Sequence, residues 1–185
     1  MPHRNRETEI KLRVPDAASA RRLLRAAAFR VFKPRVFESN TIFDTPELRL
    51  RQAGSLLRVR DVKGAAKLTY KGPISAGKHK SREELEVDAG NARMLAAILE
   101  KLGFQPVFRY EKFRTEFRRD PGGEVTLDET PIGVFLELEG SPRWIDRTAR
   151  RLGFSGAEYV TESYARLYFD WCAQHHRKAG HMTFK

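Results

Sequence analysis

A chain of 185 residues can bury one core without staples, and a single cysteine, Cys172, excludes internal disulfides and cysteine-based metal sites. The hydrophobic fraction of 41% fits a globular domain; no apolar run approaches the roughly 20 residues that span a bilayer, and the opening Met-Pro-His-Arg-Asn-Arg lacks the apolar stretch of a secretory leader. The net charge of +11 favours polyanionic partners without choosing among phosphates, nucleic acid and anionic lipid.

The first element reads as a strand in which Glu7, Glu9, Lys11 and Arg13 share one face and Ile10, Leu12 and Val14 the other. Asp16 then caps a helix reaching about Phe29, with Leu23, Leu24 and Ala27 on its buried side. A second strand covers Val36–Phe43. In Ser55–Val62, Arg58 and Arg60 alternate with Leu57 and Val59; in Ala66–Lys71, Lys67, Thr69 and Lys71 oppose Leu68 and Tyr70. Arg82–Asp88 sets Arg82, Glu84, Glu86 and Asp88 against Leu85 and Val87. The spacing of Met94, Leu95, Ile98 and Leu102 predicts a helix over Asn91–Leu102, stopped by Gly103. Three more strands follow, Phe108–Arg118, Glu124–Asp128 and Val134–Glu139, which makes eight. They repeat the alternation, with Lys112, Arg114 and Glu116, then Asp128, then Glu137 and Glu139 on their polar faces. Helices are expected over Pro142–Leu152 and Thr161–His176, where Tyr164, Leu167, Tyr168, Trp171 and Cys172 form a packing stripe. Residues 1–176 read as a single domain, and Arg177–Lys185 as a flexible basic tail.

Two α+β architectures fit amphipathic strands mixed with helices. An open antiparallel sheet packs its apolar face on helices and wets the other. A closed eight-stranded barrel covers its apolar exterior with helices and leaves room inside for side chains or one small ligand. The polar faces favour the barrel, because Arg, Lys and Glu recur at alternate positions with few neutral residues between. Charges of both signs confined together are costly unless well matched, so the enclosure serves a ligand: bases for a polyanion, carboxylates for its cations.

These residues resemble the CYTH superfamily of triphosphate tunnel metalloenzymes, which includes class IV adenylate cyclases, thiamine triphosphatases and inorganic triphosphatases. The resemblance rests on Glu7-x-Glu9-x-Lys11, Arg58-x-Arg60, Lys71, Arg82 with Glu84-x-Glu86, Lys112-x-Arg114, Asp128 and Glu137-x-Glu139 in order, with Asp44-Thr-Pro and Ser163-Tyr164 alongside. It implies a closed eight-stranded antiparallel tunnel with a charged lumen. One departure is Ile42, where many members carry a tyrosine that in thiamine triphosphatases works with the lysine matching Lys71; thiamine triphosphate therefore drops as a preferred substrate.

The resemblance implies that Lys11, Arg58, Arg60, Lys71, Arg82, Lys112 and Arg114 grip a triphosphate, and that Glu7, Glu9, Asp128, Glu137 and Glu139 ligate Mg²⁺ or Mn²⁺. Hard oxygen donors suit those ions. Lys11, Lys71, Glu84 and Glu86 make up the candidate catalytic set, the two glutamates holding a second ion or orienting the bases. Hydrolysis of inorganic, nucleoside or organic triphosphates is the leading expectation, because it asks least of the site. Cyclisation of ATP to cyclic AMP and pyrophosphate is the alternative, and a non-catalytic polyphosphate-binding module a further one. The expected partner is a small triphosphate in a cytoplasmic protein, monomeric or homodimeric. No membrane is expected, nor nucleic acid except triphosphate-ended RNA, since the aromatics alternate onto apolar faces. The surplus charge is placed on Arg21, Arg22, Arg25, Arg147, Arg150, Arg151, Arg177 and Lys178, outside the lumen.

Overall fold

The computed structural model describes residues 6–75, 77–119 and 121–185; the reading of residues 1–5 as lacking an apolar leader lies outside them. In chain order the elements are β1 (Arg6–Val14), α1 (Ala17–Ala26), β2 (Arg30–Asp44), α2 (Arg49–Gln52), β3 (Leu56–Val62), β4 (Ala65–Lys71), β5 (Lys80–Asn91), α3 (Ala92–Lys101), β6 (Gln105–Arg118), β7 (Gly123–Thr130), β8 (Gly133–Gly140), α4 (Pro142–Arg151) and α5 (Tyr164–Gln174). The strands close into an antiparallel barrel in the order β1-β5-β4-β3-β2-β6-β7-β8. The open-sheet alternative is thereby excluded, and the eight expected strands are all present.

Helix starts follow their caps. Asp16 accepts from Ser19 N at 2.7 Å, Asn91 from Met94 N at 2.9 Å and Ser141 from Trp144 N at 3.3 Å. Ser163 accepts from Arg166 N at 3.2 Å, so α5 begins at Tyr164 rather than at the expected Thr161. The short α2 was not anticipated. The Asp44 carboxylate builds it, accepting from Thr45 N at 2.8 Å, Leu50 N at 2.9 Å and Arg51 N at 2.9 Å.

Three apolar clusters surround the barrel. α1 and α4 bury Leu24, Trp144, Ile145 and Ala149 against Ile10, Leu12, Val125 and Leu138 of β1, β7 and β8. α3 lays Leu95 and Leu99 on Phe43, Val59 and Leu68. Its Met94, Ile98 and Leu102, whose spacing revealed the helix, face water instead. The third cluster stoppers one end of the barrel: Tyr164 and Leu167 of α5 pack on Phe108, Tyr110, Phe135 and Met182.

Met182 corrects the expectation of a flexible tail. It is fully buried, and it pairs with the stretch of β6 that β7 does not reach: Met182 N donates to Arg109 O at 3.0 Å and Glu111 N to Met182 O at 2.9 Å. Phe184 N donates to Glu111 Oε2 at 3.0 Å. The segment docks because it satisfies backbone groups on β6 and fills the stopper. Among the described residues no helix is long and apolar enough to cross a membrane.

Candidate active site in the barrel lumen

Strand register decides which side chains meet inside. Cross-strand partners include Glu7 with Arg82, Glu9 with Glu139, Lys11 with Glu137, Lys71 with Glu84, Lys112 with Glu38 and Arg114 with Asp128. Because side chains alternate along a strand, each pair opens onto the same interior. The result is a cavity of about 340 Å³ lined by ten Lys and Arg side chains and eight glutamates.

All the residues expected in the site line this lumen except Asp128: the bases Lys11, Arg58, Arg60, Lys71, Arg82, Lys112 and Arg114, and the acids Glu7, Glu9, Glu84, Glu86, Glu137 and Glu139. Asp128 points into the same interior but is covered by its neighbours, at 0% exposure. There it accepts from Arg114 Nε at 2.7 Å and Nη2 at 2.6 Å, from Lys112 Nζ at 2.8 Å and from the Tyr164 hydroxyl at 2.8 Å. These bonds aim Arg114 and Lys112, and Arg114 Nη2 also reaches Glu137 at 2.8 Å. Tyr164 lies between two lysines, with Lys11 and Lys112 Nζ each 5.2 Å from its ring centroid.

Elsewhere acids and bases pair in the same way. Lys71 donates to Glu7 at 2.6 and 2.5 Å and lies 3.1 Å from Glu84. Lys11 contacts Glu9 at 3.0 Å and Glu137 at 3.2 Å. Arg58 is held mainly by neutral groups, the Tyr110 hydroxyl at 3.3 Å and Thr69 Oγ1 at 3.1 Å, with Glu84 and Glu86 at 3.8 Å. Arg60 donates to Asn40 at 3.2 Å. Among the described residues, buried Arg58 Nε, Arg82 Nε, Asn40 Nδ2 and Thr126 Oγ1 make no hydrogen bond, although Arg82 Nε lies 3.5 Å from Glu7 Oε2. Buried donors without hydrogen bonds are rare and costly, and an anionic ligand in the lumen would satisfy those of Arg58 and Arg82.

The carboxylates divide into two groups. Burial and Glu9 act to raise Glu137, but Lys11, Arg114 and Lys112 outweigh them and hold it at about 2. Burial opposes ionisation of Glu9 too, and Lys11 and Lys80 hold its pKa well below the usual carboxylate range. Glu7, by contrast, is pushed up to about 7 by burial and then by Glu9, against the pull of Lys71. Glu139, nearer the open mouth and reached by water, is raised by its enclosure and by the charges of Glu7, Glu137 and Glu9. Glu7 and Glu139 thus resist ionisation, because the protein does not fully compensate a negative charge at either position. Their oxygens, with those of Glu9 and Glu137, are the donor chemistry that Mg²⁺ or Mn²⁺ prefers. Among the described residues no three acidic or histidine side chains already stand in metal-ligating geometry, since the glutamates are engaged by lysines and arginines.

Lys80 was missed in the sequence. It is buried against Glu9, its pKa lowered to about 8 by burial, Lys11 and Arg82 despite Glu9. It stands two residues before Arg82, a parity signal hidden because Gly77-Lys78-His79 reads as loop. Glu38 was missed because it interrupts a run of apolar or neutral residues, and Tyr110, although it shares the parity of Lys112, because it carries no charge. Ile42, where many relatives have tyrosine, does line the lumen, and Tyr110 brings a hydroxyl into the same region from the adjacent strand.

Comparisons with known proteins agree with this geometry. A Methanocaldococcus jannaschii protein provisionally named an adenylate cyclase is 32% identical over 136 residues, covering 73% of this chain and 77% of that one. A structure of a Vibrio parahaemolyticus protein, also provisionally named an adenylate cyclase, superposes with a TM-score of 0.76 at 22% identity, over 87% of this chain and 96% of the other. A Hippeastrum protein, provisionally named an adenylyl cyclase and described by a dominant triphosphatase activity, superposes with a TM-score of 0.64 at 18% identity, over 94% and 97%. Residues 5–164 match the CYTH domain, and the chain belongs to that family.

Proposed function

We propose that this protein is a divalent-metal-dependent enzyme that draws a triphosphate into the barrel lumen and hydrolyses it. The observation that carries the reading is the pair of buried guanidinium donors that make no hydrogen bond, Arg58 Nε and Arg82 Nε, on a lumen whose other bases are held by carboxylates. A triphosphate carries roughly four negative charges near neutral pH, and its transfer chemistry is mostly positioning and charge neutralisation.

Glu7, Glu9 and Glu137 stand where phosphate oxygens would sit against the bases. As phosphate oxygens arrive, Lys11, Lys71 and Lys80 exchange carboxylate for phosphate, and Arg58 and Arg114, their planes set by Thr69 with Tyr110 and by Asp128, fork onto oxygen pairs. The glutamates so released, Glu7, Glu9 and Glu137, together with Glu139, are the ones that would hold Mg²⁺ or Mn²⁺, which would supply charge neutralisation at the phosphates. Asp128, enclosed by Arg114, Lys112 and Tyr164, serves to position those bases. Glu84 and Glu86 keep Lys71 and Arg58 oriented.

ATP cyclisation is the second reading, favoured by the name of the relative that is 32% identical. Incubation with ATP or tripolyphosphate and Mn²⁺ separates the two. Released orthophosphate from both substrates is the expected result; cyclic AMP as the main product would establish the cyclase, and tight binding without turnover a non-catalytic module.

A further inference from the structure

The open mouth of the lumen carries a feature that a bare triphosphate does not need. β2 passes this rim with irregular register: Val31 pairs with Phe117 and Lys33 with Glu116, so Phe32 is the extra residue of a bulge. Bulges re-aim side chains. Here Lys33 joins the lumen lining while Phe32 stands at the rim, 49% exposed. The Arg118 guanidinium lies 3.6 Å from the Phe32 ring centroid and is tied at 3.0 Å to Glu124, itself a lumen residue. Lys33 Nζ is 5.9 Å from the same ring.

A lone exposed phenylalanine on a surface asks for no explanation. This one is fixed at the doorway of a cavity lined by lysines, arginines and glutamates, with a guanidinium against the ring and a lumen lysine beside it. Toward the opposite end the aromatic ring of Tyr164 packs with Tyr110 and Phe135 at the lumen, so this rim is where a group attached to a triphosphate finds an open, exposed ring. An aromatic ring backed by arginine, next to positive charge, is the arrangement that stacks a nucleobase while its phosphates are held nearby.

We infer that Phe32, backed by Arg118, is the stacking platform for the base of a nucleoside triphosphate. The inference rests on the triphosphate reading of the lumen and narrows it to one substrate class. Stacking tolerates base identity, so ATP and GTP bind alike.

Calorimetric Kd values for the slowly hydrolysed ATP analogue AMP-PNP and for inorganic tripolyphosphate, both with Mg²⁺, test it on wild type, Phe32→Ala and Phe32→Trp. Phe32→Ala is expected to weaken AMP-PNP about tenfold or more, in the range of base–aromatic stacking, with tripolyphosphate unchanged. Phe32→Trp is expected to keep wild-type affinity for both. No change for either ligand in Phe32→Ala overturns the platform and leaves the lumen intact. If both ligands weaken together, Phe32→Leu, which keeps apolar bulk without a π face, decides by the same ratio: equal affinities relative to wild type overturn the platform, selective loss of AMP-PNP supports it. Wild-type protein that binds neither ligand overturns the lumen reading and the platform together.

Discussion

Replacing Arg114 by alanine would strip Asp128 of its forked partner while leaving that carboxylate fully buried. Breaking a buried pair from one side costs about 3–5 kcal/mol, and a denaturant titration of Arg114→Ala should show that loss. Tyr164→Phe removes one hydrogen bond to the same carboxylate and should cost about 1.5–3 kcal/mol by the same measurement, the range for bonds to charged groups. Most of this network was legible in the sequence because alternation survives translation into a barrel: residues of one parity share an interior whichever strands become neighbours. Asp128 had the right parity, but no sequence pattern says how deep a position lies or that Tyr164 closes over it. Phe32 escaped notice because the expected second strand began only at Val36, whereas β2 starts at Arg30 and carries its bulge in that unread stretch.

At the scale of elements, the loop before β5 is fastened to α4. Asp146 accepts from Lys78 Nζ at 2.9 Å and from the Tyr159 hydroxyl at 2.9 Å, and meets His79 Nε2 at 2.9 Å. Partial burial would raise its pKa, but those three hydrogen bonds prevail and hold it at about 2. A carboxyl whose folded pKa is depressed stabilises fully above its unfolded value, near 3.9, and loses that contribution as pH falls toward 2. The stability gap between wild type and Asp146→Asn, followed by urea titration, should therefore be open at pH 6 and shrink steadily on acidification below about pH 4. The docked C-terminal segment makes a second test. Met182→Ala should cost about 2–5 kcal/mol as a core truncation and expose the Glu111 amide to hydrogen exchange. Arg177 and Lys178 give this segment its basic character and mask the apolar Met182 and Phe184, and composition averages over the one residue that packs. Helix positions were easier to read, since Asp16 announces the start of α1 and apolar spacing marks the later helices, although the Ser163 cap that starts α5 at Tyr164 went unread.

For the molecule as a whole, the two signs of charge are sorted by location. The lumen, with ten bases and eight acids, is close to balanced, so most of the +11 surplus lies outside. Arg22 and Arg25 of α1 and Arg147 and Arg150 of α4 are exposed on helices that share one wall of the barrel. Such a field should speed the approach of anionic substrates. kcat/KM toward ATP should then fall roughly threefold or more as ionic strength rises to about 0.3 M, and Arg147→Glu with Arg150→Glu should flatten that dependence without altering kcat. The stopper of Tyr164, Leu167 and Met182 has its own consequence. It narrows the chamber on that side, so if the lumen hydrolyses a triphosphate, fragments that leave past Phe32 depart in the reverse of the order in which their parent entered. The innermost piece would then leave last and hold back the next molecule.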